Sequence, residues 1–259
     1  MDLKLKDKVI IVTGGSKGIG KGICKILAAE GAFPVIIGRN RESIPEAIKE
    51  IEAAGGKAGF AYAELTSNKE CQFAVADVIK KYGSIDGLVN NAGVNDGVGL
   101  ESGDYEGFME SLKRNVVHYY LMAHYALPEL KKTKGAIVNI GSKTSFTGQG
   151  GTSGYAAANG ARNSLTREWA VELLPHKIRV NTVIVAECFT PLYKKWISTF
   201  ENWEEKLDEI TQHIPLGNRM TEAQEIASTV AFLLSEVSSH TTGQHIFVDG
   251  GYTHLDRSI

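Results

Sequence analysis

The chain has 259 residues, of which 43% are hydrophobic and 22% are charged, a mixture typical of a folded globular protein. Its 28 lysines and arginines nearly balance its 30 aspartates and glutamates, so the net charge of −2 provides no positive field to attract nucleic acid or an anionic membrane. The three cysteines have a spacing that fits neither a disulfide framework nor a zinc site. We therefore expect a cytoplasmic protein with reduced thiols, no bound metal, and no nucleic-acid or membrane partner.

Short apolar runs alternate along the chain with segments of helical periodicity. Strands are predicted at 9–12, 35–37, 58–63, 85–89, 136–140, 178–184 and 245–248. Helices are predicted from 19 to a glycine cap at 31, and at 43–54, 68–82, 105–130, 155–174 and 222–234. Such alternation implies right-handed crossovers onto a parallel sheet. We predict an α/β fold: one doubly wound, Rossmann-type domain over 1–259, with helices on both faces of the sheet.

One segment, 191–215, departs from this alternation. It carries Trp196, Phe200, Trp203 and Leu207 on an amphipathic stretch between a strand and a helix. An insertion at the carboxyl ends of the strands lies over the ligand crevice of such a fold. We therefore predict that this segment is a lid over the substrate.

A glycine-rich run, 13–20, follows the first strand and opens the first helix. Glycines here permit a tight turn and close approach of a pyrophosphate to backbone N–H groups, while the helix dipole favours an anion. Position directly after the first strand favours nucleotide binding over a simple turn. The predicted cofactor contacts in this run are Gly14, Ser16, Lys17, Gly18, Ile19 and Gly20.

Further motifs follow the later strands in a recognisable order. An Asn-Asn-Ala-Gly run occupies 90–93, Asn115 lies in the long helix, Ser142 follows the fifth strand, Tyr155 begins the next helix, and Asp-Gly-Gly occupies 249–251. With the glycine-rich run, these motifs resemble the short-chain dehydrogenase/reductase family over about residues 7–252.

The resemblance implies a reaction and roles for the residues. Tyr155 would be the acid/base that exchanges a proton with the alcohol oxygen during hydride transfer. Ser142 would hydrogen-bond the same oxygen, and Asn115 would support a water-mediated proton path. The resemblance places further cofactor contacts at Asn91, Ala92 and Gly93 on the nicotinamide side, Thr190 at the carboxamide, and Glu64 and Leu65 near the adenine.

The end of the second strand bears on the choice of cofactor. An acidic residue there favours NAD, whereas a basic one accommodates the 2′-phosphate of NADP. This chain has Arg39 at that point and Lys17 in the glycine-rich run. We expect a preference for NADP, with NAD also possible.

One position departs from the family pattern. The family places a lysine four residues after the tyrosine, but this chain has Asn159 there. A free tyrosine has a pKa near 10, and about 4 kcal/mol is needed to lower it by three units, a task to which a nearby cation contributes. Asn159 could still bond the nicotinamide ribose, and Lys143 could supply the missing charge. A working enzyme with altered pH dependence, an impaired enzyme, and an NADP-binding protein without turnover all remain open.

Polar residues near the predicted crevice favour a polar substrate. They are Asn95, Asp96, Thr144, Gln149 and Glu187, and Trp196 of the lid segment is a further candidate substrate contact. A carboxylate such as Glu187 is costly to bury unless it has partners, which sugar hydroxyls would provide. The runs 185–193 and 248–257 resemble the L-fucose (aldose) dehydrogenase branch of the family, which implies oxidation of an aldose to its lactone. Reduction of a 3-oxoacyl thioester or a ketosteroid is the alternative, and the family implies a homotetramer.

Overall fold

The computed structural model describes residues 2–255, and all of its strands lie in one parallel sheet of seven. The strands are β1 (Val9–Thr13), β2 (Phe33–Gly38), β3 (Gly59–Tyr62), β4 (Gly87–Asn90), β5 (Ala136–Ser142), β6 (Arg179–Val185) and β7 (His245–Val248). They pair in the order β3-β2-β1-β4-β5-β6-β7. The predicted doubly wound parallel sheet is confirmed.

The helices occupy both faces of this sheet. They are α1 (Gly18–Ala29), α2 (Ser43–Ala53), α3 (Asn68–Tyr82), α4 (Tyr105–Leu112), α5 (His118–Thr133), α6 (Ser153–Glu172), α7 (Pro191–Ile197), α8 (Trp203–Gln212) and α9 (Ala223–Leu234). One apolar cluster includes residues of α1, α2 and α9, and the other includes residues of α3, α5 and α6. The sheet is therefore covered on both sides, as its continuous apolar strands require.

The helix predicted at 105–130 is not regular throughout. A π-helical segment, Lys113–Val117, separates α4 from α5. The apolar periodicity continues through the segment, so the sequence pattern does not distinguish it from an α-helix. A π-helical turn widens the hydrogen-bond ladder and frees backbone groups for other partners.

The order of the strands reverses at β1, which pairs with β2 on one side and β4 on the other. The crossovers on the two sides of β1 therefore leave the sheet toward opposite faces, and a crevice opens beyond its carboxyl end. The side chain of Thr13, the last residue of β1, binds the loop that follows β4. Its Oγ1 accepts hydrogen bonds from the backbone N–H groups of Asn91 (2.9 Å) and Ala92 (3.1 Å).

The segment predicted as a lid contains the two short helices α7 and α8. Trp196 and Phe200 remain partly exposed there, with their rings 5.5 Å apart. Of the run 248–257, Asp256 and Arg257 lie outside the described residues. Between residues 2 and 255, no helix has both the length and the apolar character needed to cross a membrane.

Candidate functional site

A large cleft lies beyond the carboxyl ends of the strands. Its volume of about 1060 Å³ reaches the upper end of the roughly 300–1,000 Å³ typical of small-molecule sites, which leaves room for a dinucleotide and a small substrate together. The cleft is lined by every predicted site residue except Ser16, Glu64, Leu65, Asp96, Asn115 and Asn159.

The glycine-rich run forms one end of the cleft. Gly14 has a φ of +65°, in the left-handed region that favours glycine. A Cβ on Gly20 would lie 2.4 Å from the Gly14 carbonyl oxygen and 2.6 Å from Nδ2 of Asn91. The first N–H groups of α1 have no side-chain cap from Lys17. Open N–H groups at a helix N-terminus suit a pyrophosphate, so this end of the cleft fits the dinucleotide.

Arg39 lies at the rim of the cleft, and its Nη1 donates to Glu64 at 2.5 Å. Burial by itself would raise the pKa of Glu64, but hydrogen bonds from Arg39 and Thr66 outweigh it and lower the pKa. Glu64 is therefore ionised and holds the guanidinium at the end of β2. Ser16 does not line the cleft, because its Oγ accepts from Oγ of Ser43 at 3.0 Å and fastens the loop to α2.

The structure places the side chains of Asp96 and Leu65 away from the cleft, although Asp96 was predicted to contact the substrate and Leu65 the adenine. Asp96 accepts a hydrogen bond from Oγ of Ser111 at 2.8 Å and does not line the cleft, because Ser111 draws its carboxylate toward α4. Leu65 packs against the core cluster that contains α3. The prediction that Asp96 lines the substrate space is therefore wrong for this structure, and Leu65 also lies outside the cleft lining.

Ser142 and Tyr155 both line the middle of the cleft. Oγ of Ser142 accepts from the backbone N–H of Thr144 at 3.3 Å and from its hydroxyl at 3.1 Å. Since both contacts use the serine oxygen as acceptor, the Ser142 proton is available to a substrate oxygen. Tyr155 lies in the first turn of α6, half-buried, with its side chain in the same cleft.

Asn115 lies in the π-helical segment and is fully buried. Its Oδ1 accepts from the backbone N–H of Val94 at 2.8 Å. Its backbone carbonyl accepts from Nε of Arg162 at 2.6 Å. A direct guanidinium contact therefore occupies the backbone carbonyl of Asn115.

Asn159 is also fully buried, and both ends of its amide have partners. Its Nδ2 donates to the backbone carbonyl of Tyr155 at 2.9 Å, and its Oδ1 accepts from Nη1 of Arg162 at 3.0 Å. Since neither amide group faces the cleft, the structure does not support a direct contact between Asn159 and a ribose.

Lys143 does not supply the positive charge that is missing at position 159. It forms an ion pair with Glu187, and its ammonium lies 3.9 Å from the centre of the Tyr252 ring. Only 13% of the Lys143 side chain and 11% of the Glu187 side chain are exposed. Burial, with Glu187 alongside, raises the pKa of Tyr193. This part of the cleft is therefore a polar pocket with a partly buried ion pair.

Sequence reasoning missed Arg162, Tyr193 and Tyr252, all of which line the cleft. Arg162 follows Tyr155 by seven residues, two turns along one helix face, so its spacing was an available signal. Tyr193 and Tyr252 reach the pocket from the lid and from the segment after β7. They lie within the runs 185–193 and 248–257, whose resemblance was an available signal, but the sequence analysis assigned neither of them to the site.

Two large side chains of α5 and α6 belong to the core. His118 is buried, with Nε2 2.9 Å from the Arg114 carbonyl oxygen, and burial lowers its pKa to about 3. Trp169 is buried among the residues of the cluster that contains α5. Both side chains therefore serve packing.

Comparison with known proteins identifies relatives over almost the whole chain. The model of a family described as "Enoyl-(Acyl carrier protein) reductase" matches residues 14–253. The 3-oxoacyl-[acyl-carrier-protein] reductase FabG of Thermotoga maritima is 32% identical, covering 96% of this chain and 99% of its own. The L-fucose dehydrogenase of Mus musculus is also 32% identical, covering 94% and 88%. The crystal structure of Cj0485 dehydrogenase shares 45% identity and a TM-score of 0.94, covering 100% and 99%.

We predict that Gly20→Ala weakens NADP⁺ binding at least about tenfold, because the new methyl group must displace the Gly14 carbonyl or the Asn91 amide. Calorimetric titration of the purified protein measures this. Gly160→Ala on α6 is the matched control, since a Cβ there meets nothing within 4 Å. Equal NADP⁺ affinities for the two variants would contradict the proposal that cofactor binding needs the close packing of Gly20 against Gly14 and Asn91.

Proposed function

The chain belongs to the short-chain dehydrogenase/reductase family, and from that premise we propose that it oxidises an aldose, L-fucose or a similar sugar, to its lactone. Its class of activity is that of the family: NAD(P)-dependent oxidation or reduction at a CH–OH or carbonyl carbon. Its relatives of equal identity are named for different substrates, so the sugar is our proposal from the chemistry of the pocket.

Ser142 and Tyr155 act on the same substrate oxygen in different roles. When bound, the nicotinamide supplies the hydride acceptor for the carbinol carbon. Ser142 donates a hydrogen bond to the substrate oxygen and orients it. Tyr155, in the same cleft, takes the hydroxyl proton as a general base in the oxidising direction and returns it in the reducing direction.

The partly buried Lys143–Glu187 pair is the observation that carries the sugar proposal. Each partner already neutralises the other, so the pocket does not demand a charged substrate. Their remaining donor and acceptor positions match neighbouring sugar hydroxyls, which can both donate and accept. An apolar substrate would leave those positions without partners, at a cost of about 1–3 kcal/mol for each polar group.

A 3-oxoacyl thioester is the second candidate substrate. The exposed apolar side chains of Leu192, Trp196 and Phe200 on and beside α7 would suit an acyl chain. This candidate also has the support of the FabG relative. An acyl thioester does not account for the partly buried Lys143–Glu187 pair, so we rank it after the sugar.

We propose NADP as the preferred cofactor, with NAD as the alternative. The guanidinium of Arg39 lines the cleft at the end of β2, where the 2′-phosphate of NADP would lie. Glu64 holds that guanidinium in place. A third possibility, an NADP-binding protein without turnover, depends on whether Asn159 leaves Tyr155 without a cation.

We also propose a homotetramer located in the cytoplasm. Val117 and Tyr120 near the start of α5, and Val171 near the end of α6, are exposed apolar side chains. Apolar surface of this kind is typical of subunit contacts. The thiols of Cys24, Cys71 and Cys188 are free and buried, which suits a reducing compartment.

We predict turnover of L-fucose, L-galactose, D-arabinose or L-rhamnose with NADP⁺ between about pH 6 and pH 10. Glu187→Gln should raise KM for the sugar about tenfold or more, because it removes the charge that holds Lys143 and orients the hydroxyls. Initial rates from NADPH absorbance measure both effects.

Two variants control this experiment. Glu201→Gln, an exposed change in the lid segment, should leave KM unchanged, and Tyr155→Phe should abolish turnover while retaining NADP⁺ binding. Inertness toward every sugar, with reduction of an acetoacetyl thioester, would replace the sugar proposal by the second candidate.

We predict that Arg39→Ala weakens NADP⁺ binding about tenfold or more and changes NAD⁺ binding by less than about twofold, because only NADP carries the 2′-phosphate. Calorimetric titration with both dinucleotides measures the ratio. Arg114→Ala, an exposed arginine on the helical segment after α4, is the control. Equal losses for both dinucleotides would exclude a phosphate contact.

We predict that the full chain elutes as a species of four subunits in size-exclusion chromatography with light scattering. A charged residue on the exposed apolar surface, Val171→Glu, should reduce that mass. Lys131→Glu, at an exposed position near the end of α5, serves as the control. A monomer at all concentrations would rule out the proposed assembly.

A further inference from the structure

Arg162 is a buried cation that neither the motifs nor the proposed function had assigned. Only 3% of the residue is exposed. Its Nε donates to the Asn115 carbonyl at 2.6 Å, and its Nη1 donates to the Ile140 carbonyl at 3.1 Å and to Oδ1 of Asn159 at 3.0 Å. Its guanidinium also lies 4.2 Å from the centre of the Tyr119 ring. The position of this charge is therefore set by contacts from four elements: the π-helical segment, β5, α5 and α6 itself.

The partners of Arg162 are neutral. Within residues 2–255 no carboxylate lies within ion-pair distance of its guanidinium, in contrast to Lys143, which Glu187 neutralises. Burying an arginine without a counter-ion costs several kcal/mol that its hydrogen bonds only partly offset. An uncompensated charge of this kind favours any anion that forms in the adjoining cleft.

The guanidinium faces that cleft. Arg162 lines it, and Nη2 lies 2.9 Å from where a Cβ on Gly93 would be. Arg162 stands two turns after Tyr155 on α6, but helix side chains point back toward the N-terminus. Its guanidinium therefore meets Asn159, one turn after Tyr155.

We propose that the buried guanidinium of Arg162 provides, across space from two turns along the helix, the positive charge that favours the ionised form of Tyr155, and that Arg162 also positions Asn159. Arg162 orders the site, because one side chain holds the carbonyl of Asn115 and the amide of Asn159. Asn159 in turn donates to the backbone of Tyr155. The inference rests on the proposed function only for the role of Tyr155 as acid/base.

Asn159 and Arg162 form a matched pair in this arrangement. A lysine at 159 would place a second buried cation against the guanidinium, and two like charges in a buried site repel strongly. Asparagine instead offers an acceptor to Arg162 and a donor to the helix backbone. The missing lysine is therefore accommodated by a different residue and does not by itself indicate an inactive protein.

Burial moves the pKa of several other groups near the site away from the range between about pH 6 and pH 10. It raises the pKa values of Tyr119 and Cys188 to about 12 and lowers the pKa of His118 to about 3. Burial likewise raises the pKa of Tyr193. The other charged or titratable side chains that line the cleft are Lys143 and Glu187, which neutralise each other, Tyr252, which lies against Lys143, and Lys17, Arg39 and Lys195.

The test compares Arg162→Leu with the double variant Asn159→Lys/Arg162→Leu, which returns one cation to the site from the neighbouring turn. The near-ultraviolet tyrosinate absorbance is titrated with pH in each protein, and the curve of the same protein carrying Tyr155→Phe is subtracted. Loss of a nearby cation disfavours the phenolate, so the midpoint in Arg162→Leu should rise by on the order of one pH unit. The double variant should restore it.

The kcat–pH profile for alcohol oxidation should follow the same pattern. Its acid limb should move to higher pH in Arg162→Leu by on the order of one unit and return in the double variant and in Arg162→Lys. A folded Arg162→Leu with an unchanged midpoint would overturn the proposal, as would a double variant whose midpoint is not restored.

Two further outcomes also decide the question. If circular dichroism shows that Arg162→Leu does not fold, the double variant and Arg162→Lys are compared with the unsubstituted protein. A tyrosinate midpoint that is higher in either variant by on the order of one pH unit or more would overturn the proposal. If no alcohol is oxidised by any form, the proposed function fails, while the absorbance titration still decides the role of Arg162.

Discussion

The parallel pairing of β1 with both β2 and β4 is the constraint on which the site depends. Because parallel strands require crossovers, and because the crossovers on either side of β1 cover opposite faces, the loops beyond its carboxyl end diverge. The glycine-rich run and the Asn91–Gly93 loop therefore face each other across the crevice. Thr13 joins them through two hydrogen bonds at the end of the strand.

A second constraint is a chain of buried polar side chains that joins strands to α6. Nδ2 of Asn90 donates to Asn139, Asn139 donates to Thr166, and the hydroxyls of Thr166 and Thr182 lie 2.6 Å apart. Such groups are costly to bury without partners, so their mutual satisfaction specifies how α6 lies on the sheet. The same helix carries Tyr155 and Arg162, and its placement therefore decides the geometry of the reaction.

The π-helical segment and Arg162 show how local irregularity contributes to this geometry. A regular α-helix through Asn115 would use its carbonyl within the helix ladder. In the π-helical segment that carbonyl accepts a hydrogen bond from Nε of Arg162. A π-helical turn and a buried charge both cost free energy of folding. Here a carbonyl of the π-helical segment and the buried guanidinium form a hydrogen bond with each other. The absence of the family's lysine is consistent with an enzyme whose cation comes from a different position on the helix.

Sequence reasoning predicted the strands and most helix bounds closely because buried parallel strands are continuous apolar runs and helices repeat their apolar positions. The family resemblance also assigned Ser142, Tyr155 and the glycine-rich run to one site, and the structure places Ser142, Tyr155 and most of that run along one cleft. Sequence reasoning failed where a side chain had two possible partners. Asp96 turns to Ser111, and Lys143 pairs with Glu187, and neither choice leaves a pattern in the sequence.

The sequence by itself therefore determined the fold class, the family and the residues at the strand ends, since these follow from periodicity and from short motifs. Only the tertiary structure decided which charges are neutralised and which remain. Lys143 meets a carboxylate from the loop after β6, whereas Arg162 meets carbonyl and amide oxygens from the π-helical segment, β5 and its own helix. Electrostatic interaction depends on distance and burial in space, and residues that are far apart in sequence set both.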